Sequence, residues 1–178
     1  MKKRFDWRGV TMYVVALAVV FLDQYTKALV RRHLPLNTSW MPIPWLDPIV
    51  TLTYTRNTGA AFGLLPGSGP LLVIVAAIVI LGIVIYYRKL AAASAVLRVA
   101  FGLILGGAIG NNIVDRLTMG YVTDFIDVRV WPIFNVADSA GVVGAILLAY
   151  YALFLERPRT ETASDAPGER RTDGEAVG

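Results

Sequence analysis

Between Asn111 and Ala140 the chain carries four carboxylates, Asp115, Asp124, Asp127 and Asp138, set between two long apolar runs. From residue 10 to residue 155 it has only two more acids, Asp23 and Asp47, and no Glu. Acids at the edge of a membrane segment are costly to hold there and mark functional sites. Two carboxylates brought close in an apolar setting cannot both ionise, so one keeps a proton while the other acts as a base. That division of labour suits activation of a water for attack on an amide carbonyl. Asp124 and Asp138 are the pair best placed for it.

Asp124 lies in TyrValThrAspPheIleAspVal (121–128). Read as a strand, the alternation puts Val122, Asp124, Ile126 and Val128 on one face, so Asp124 keeps aliphatic company. Asp127 falls on the other face with Tyr121, Thr123 and Phe125 and reads as a solvated loop acid. Asp138 follows PheAsnValAla at the start of an apolar run, where a helix N-cap competes with a catalytic role. Asp115-Arg116 ends another apolar run and reads as an interfacial ion pair that sets depth. Asp23 and Lys27, four apart, can pair on one helix face and support the site. Asn57, Asn112 and Asn135 stand at element ends, where capping and contact with a substrate backbone are the alternatives. A serine–lysine dyad is disfavoured, because nothing around Ser39, Ser68 or Ser139 suggests a nucleophile for Lys27.

These residues need elements to hold them. The chain has 178 residues, 56% hydrophobic and 17% charged, against roughly 45–50% apolar and 25% charged in soluble domains. The excess sits in blocks, which predicts an integral membrane protein of one domain over residues 1–158. Spans are expected near 10–30, 70–87, 95–114 and 137–155, each close to the ~20 residues that crossing requires. Gly102, Gly106, Gly107 and Gly110 suit close helix packing in the third. A strand pattern also appears at IVTLTYT (49–55), inside a Pro-rich connection from His33 to Gly69, and Ala60–Leu65 reads as a short helix. The loop 37–65 is a candidate cover for a site, with Trp40, Trp45 and Trp131 as interfacial anchors. Residues 159–178 are polar and charged and are expected to be disordered. Lys2, Lys3, Arg4 and Arg8, three basic residues in 88–98 and four from Arg157 onward put both termini on the cytoplasmic side. Loops 31–69 and 116–136 then lie together outside. With no Cys and only His33, thiolate chemistry and multi-imidazole metal sites are excluded. The net charge of +4 flanks apolar blocks and does not form a nucleic-acid stripe.

Five blocks in order, AspGlnTyrThrLys (23–27), ArgAsnThrGlyAlaAlaPheGly (56–63), AsnIleValAspArg (112–116), ValThrAspPhe (122–125) and PheAsnValAlaAspSer (134–139), resemble the lipoprotein signal peptidases over about residues 10–155. The resemblance implies a bacterial inner-membrane aspartyl peptidase, a four-helix membrane bundle with a small extracytoplasmic sheet. Its catalytic dyad falls on Asp124 and Asp138. Its supporting residues fall on Asp23, Lys27, Asn57, Gly59, Asn112, Asp115, Arg116, Asn135 and Ala137. It also implies cleavage of prolipoproteins on the amino side of a cysteine bearing diacylglycerol, no metal or organic cofactor, and inhibition by globomycin. Nothing in it requires more than a monomer. The family usually has Gly directly before the Asn of its Asn-x-x-Asp-Arg block, where this chain has Asn111. Either Asn111 replaces that Gly, or a residue is inserted and Asn111 takes the Asn role. The rival readings are a small proton-coupled membrane carrier with the same carboxylates as ion sites, and a non-catalytic assembly or lipid-binding protein whose acids are caps and ion pairs.

Overall fold

Met12, Ala16, Val19, Asp23, Lys27 and Val30 recur every three or four residues, and all are buried along the first helix, α1 (Thr11–His33). That is the stripe a 3.6-residue period gives a helix packed on one side. Its exposed surface before the basic last turn is mostly apolar, with Leu17 and Phe21 the most open, as lipid contact requires. The computed structural model describes residues 10–59, 67–90 and 94–155. The basic segment 1–9, the short helix expected at 60–65 and the tail lie outside the described residues.

After α1 come β1 (Ser39–Trp40), a single 3-10 turn at Pro44–Leu46 and β2 (Thr51–Asn57). Helix α2 (Gly69–Leu90) follows, then α3 (Ala95–Met119), β3 (Val122–Asp127) and α4 (Val136–Leu155). Two stretches depart from α geometry into π-helix, Ile109–Arg116 within α3 and Tyr151–Leu155 at the end of α4. The strands form one antiparallel sheet in the order β1-β2-β3. Pairing runs Leu52 to Ile126 and resumes at Thr55 to Asp124, so β2 carries a bulge.

Among the described residues α1, α3 and α4 are long and apolar enough to cross a membrane. Four such helices were expected. The fourth run lies in α2, whose apolar part Gly69–Ile85 is shorter than the other three. The third span also runs further than expected, to Met119, because Asp115 and Arg116 find partners inside the protein. It stops at Gly120, whose φ of 78° ends the helix in the left-handed region.

The helices meet through glycines. A Cβ on Gly102 or Gly106 would stand 2.7 Å from Val15 or Val19 of α1, and one on Gly107 would stand 2.5 Å from the Ala137 carbonyl of α4. Gly144 plays the same part from the α4 side, against Ala100 and Ile104. Its role had no distinct signature in the sequence. One apolar cluster, Met12, Ala16, Tyr87 and Leu105, joins α1, α2 and α3. Another, Val30, Tyr54 and Phe125, seats the sheet on the end of α1.

Candidate active site

The site forms where β3 meets the start of α4. After Asp127 the chain turns back, and Phe134 pairs with Ile126 through bonds of 2.8 and 3.1 Å. That return sets Asn135 beside Asp124. Asn135 is the N-cap of α4: its side chain accepts from the Asp138 amide at 2.9 Å, and Asp138 Oδ2 accepts from the Asn135 amide at 3.1 Å. Asp138 is thus not the cap itself but the residue three further on, closing a capping box. Asn135 Nδ2 also donates to Asp124 Oδ1 at 2.7 Å. The two carboxylates therefore share one asparagine.

Asp124 is 3% exposed. Its second oxygen accepts from Asn57 Nδ2 at 3.0 Å, and Asn57 is oriented by the Gly59 amide on its own carbonyl oxygen. Burial, then the nearby Asp138 charge, push the Asp124 carboxyl up to about 7, while the bonds from Asn57 and Asn135 pull it down. Asp124 and Asp138 line one cavity of about 540 Å³ with Asn57, Gly59, Asn111, Asn112, Arg116 and Ala137. A second cavity, about 620 Å³, lies against Phe125 and is lined by Leu29, Val30, Leu52 and other largely apolar side chains without a carboxylate.

Behind the acids is a buried ionic cluster. Lys27 Nζ is 2.7 Å from Asp23 and 2.8 Å from Asp115, with all three side chains fully shielded. Gln24 donates to both carboxylates, at 3.0 and 2.8 Å. Buried charges survive only when paired and hydrogen-bonded, and the cluster uses its spare bonds to hold the site. Asp23 Oδ1 accepts from the Ala137 amide at 3.0 Å, pinning the first turn of α4. Asp115 Oδ2 accepts from the Thr123 amide at 3.4 Å, beside Asp124 on β3. Asp115 was expected as an interfacial partner of Arg116; it turns inward to Lys27 instead. Arg116 reaches Asn112 at 2.9 Å and the Gly59 carbonyl at 2.6 Å.

Asp127, read as a solvated acid, is half-buried and accepts from the Thr53 hydroxyl and the Arg129 amide. Asp47 pairs with Arg129 in the open. Neither lines the cavity with the dyad. Two residues were given too little weight: Asn111, which bonds Asp138, Lys27 and Asn135, and Gln24. Only the polarity of Gln24, between Asp23 and Lys27 on an apolar helix, marked it in the sequence.

Apolar helices with paired acids at one end, capped by a small sheet, define a helical membrane protein with a carboxylate site. Residues 15–154 match the family model described as signal peptidase (SPase) II, so the chain belongs to that family. A lipoprotein signal peptidase of Halothermothrix orenii is 44% identical over 140 residues, 79% of this chain and 93% of that protein. One of Halalkalibacterium halodurans is 49% identical over 140 residues, 76% and 87% of the two chains. A solved bacterial membrane enzyme superposes with a TM-score of 0.75 at 33% identity, covering 88% of this chain and 94% of its own.

Proposed function

We propose that this chain is an aspartyl endopeptidase that removes the signal peptide from diacylglyceryl-modified prolipoproteins. The observation that carries the reading is the shared Asn135, which bonds Asp124 and Asp138 at the wall of one cavity. Membership of the signal peptidase II family supports the peptidase activity, and the relatives' names support the substrate.

Asp124, with its carboxyl at about 7, keeps the proton near neutrality. Asp138 takes a proton from the water, whose oxygen attacks the scissile carbonyl carbon on the amino side of the lipidated cysteine. Asp124 gives its proton to the carbonyl oxygen, and the tetrahedral diol that results is neutral. Collapse returns a proton to Asp124 from that diol and passes one from Asp138 to the leaving amine. The step uses no metal and no organic cofactor. Arg116 places a fixed positive charge beside both acids.

The site sits at the outer rim of the bilayer, with both termini cytoplasmic. Trp40, Trp45 and Trp131 are 53%, 73% and 59% exposed and serve as interfacial anchors. Helix α2 acts as the fourth span: its 22 residues rise about 33 Å, against a hydrocarbon core of about 30 Å. A substrate held by its acyl chains then presents its scissile bond at the depth of the acids. The carrier reading has less support, since Asp124 stands on a strand outside every helix.

The test is incubation of the purified protein with a diacylglyceryl-modified precursor. The native chain cleaves it and globomycin stops the reaction. Asp124→Asn and Asp138→Asn each lower the rate at least ~10³-fold while remaining folded. Normal cleavage by both variants rules the peptidase out.

A further inference from the structure

Helix α3 holds one residue more than a regular helix needs at this place. Its α1-facing positions can be read from what each one meets. A Cβ on Gly102 would strike Val15 and Met12, one on Gly106 would strike Val19 and Ala16, and one on Gly110 would strike Asp23. Asn111 touches Lys27 from the side turned to α4, and the next residue in line with the three glycines to meet α1 is Asp115, on Lys27 and Gln24. The steps are four, four and five residues. An α-helix returns to one face every three or four residues, so the step of five contains an extra one. It falls inside the π-helical stretch Ile109–Arg116. A π turn of this kind absorbs a residue inside an α-helix and recurs at functional sites.

The face turned to α4 shows which side of the extra residue Asn111 belongs to. A Cβ on Gly107 would strike Ala137, and Asn111, one regular turn later, donates its Nδ2 to Asp138 Oδ1 at 2.8 Å. The Asn111 oxygen accepts from Lys27 Nζ at 2.7 Å and from Asn135 Nδ2 at 3.1 Å, and the residue is 8% exposed. Those two donors fix the amide, so its NH₂ group is held toward the carboxylate. Asn112 instead donates to the Ala108 carbonyl of its own helix and accepts from Arg116.

We propose that Asn111 is the positioning residue for Asp138, that Asn112 is supernumerary, and that the wide turn lets one helix bring Asn111 to Asp138 and Asp115 to Lys27 together. The inference rests on the aspartyl peptidase reading. Its test measures kcat and KM on a diacylglyceryl-modified precursor for the native chain, Asp124→Asn, Asn111→Ala, Asn112→Ala and a chain lacking Asn112, with thermal midpoints in detergent to report folding. Asn111→Ala lowers kcat by about 10- to 100-fold with KM within about threefold, as a misplaced reacting group does. Asn112→Ala, which takes one hydrogen-bond partner from Arg116 at the cavity wall, lowers kcat less than Asn111→Ala does. The shortened chain folds and keeps kcat within about tenfold, because its step from Gly110 to the acid becomes four. Loss of kcat in Asn112→Ala with Asn111→Ala near native overturns the assignment, as does an Asn111→Ala defect confined to KM. A shortened chain that is unfolded, or folded and inactive, overturns the register. If the native chain does not cleave at all, the peptidase reading itself fails. If it cleaves and Asp124→Asn does not, the other outcomes bear on this inference alone.

Discussion

Asn135 shows how little separates a structural role from a chemical one in this site. Its backbone amide and side-chain oxygen close the cap of α4 with Asp138, while its NH₂ group holds Asp124. The cap therefore sets the geometry between the two acids, and the capping and functional readings of Asp138 apply to the same atoms. The Asp124 carboxyl, raised to about 7, gives the pair its pH dependence. Below that value the proton is present; above it the proposed general acid is lost. Cleavage at saturating substrate should fall as pH rises through about 7, approaching tenfold per unit, and a profile flat from pH 6 to 9 would remove Asp124 from the acid role. The same shift weakens the fold. An unfolded carboxyl ionises from 3.8 upward while the folded one waits until about 7. Stability from this group is therefore full below 3.8 and is lost as pH rises toward 7, by on the order of 4 kcal/mol.

At the scale of elements, the contact between α1 and α3 decides whether the acids are aligned. Asp23 and Lys27 pair at 2.7 Å within α1, and the 2.8 Å pair of Lys27 with Asp115 on α3 exists only while the helices touch. Gly102 and Gly106 permit that approach. Gly106→Val forces the helices apart against the Val19 side chain and the Ala16 carbonyl. It should cost about 1–3 kcal/mol in a detergent unfolding assay and most of the cleavage activity. Gly82 is the control: a Cβ there meets nothing within 4 Å. Gly82→Ala should leave activity unchanged and stability equal or higher by up to about 1 kcal/mol. Equal effects of the two changes would show that close approach is not what the glycines provide. The sheet contributes in a different way. β3 carries Asp124 toward the acids and Phe125 toward the Val30–Tyr54 cluster, so the alternation of a strand lets one segment be both wall and anchor.

For the whole molecule, the proposed topology makes a testable prediction about orientation. The native chain has no cysteine, so single cysteines report sidedness without background. Val130→Cys, at a position 92% exposed in the turn after β3, should react with a membrane-impermeant maleimide in intact cells. Ser164→Cys, in the tail, should react only after permeabilisation. The reverse pattern would put the acids on the cytoplasmic face, where a secreted precursor's signal peptide would not meet them.

The membrane class, the apolar helices, the sheet and the two acids that meet at one cavity were legible in the sequence because each follows from local pattern. Hydropathy over some twenty residues marks a helix that lipid can surround, period-two alternation marks β2 and β3, and a carboxylate beside such a helix is too costly to be incidental. Partnership was not legible. Asp115 pairs with Lys27 across 88 positions of chain and not with its neighbour Arg116. Asn111 and Asn112 are identical in type, and which of them reaches Asp138 depends on one extra residue in a helical turn. Local sequence sets what a residue can do and which element carries it. The angle at which a side chain leaves that element, and what waits there, is decided by how the elements pack.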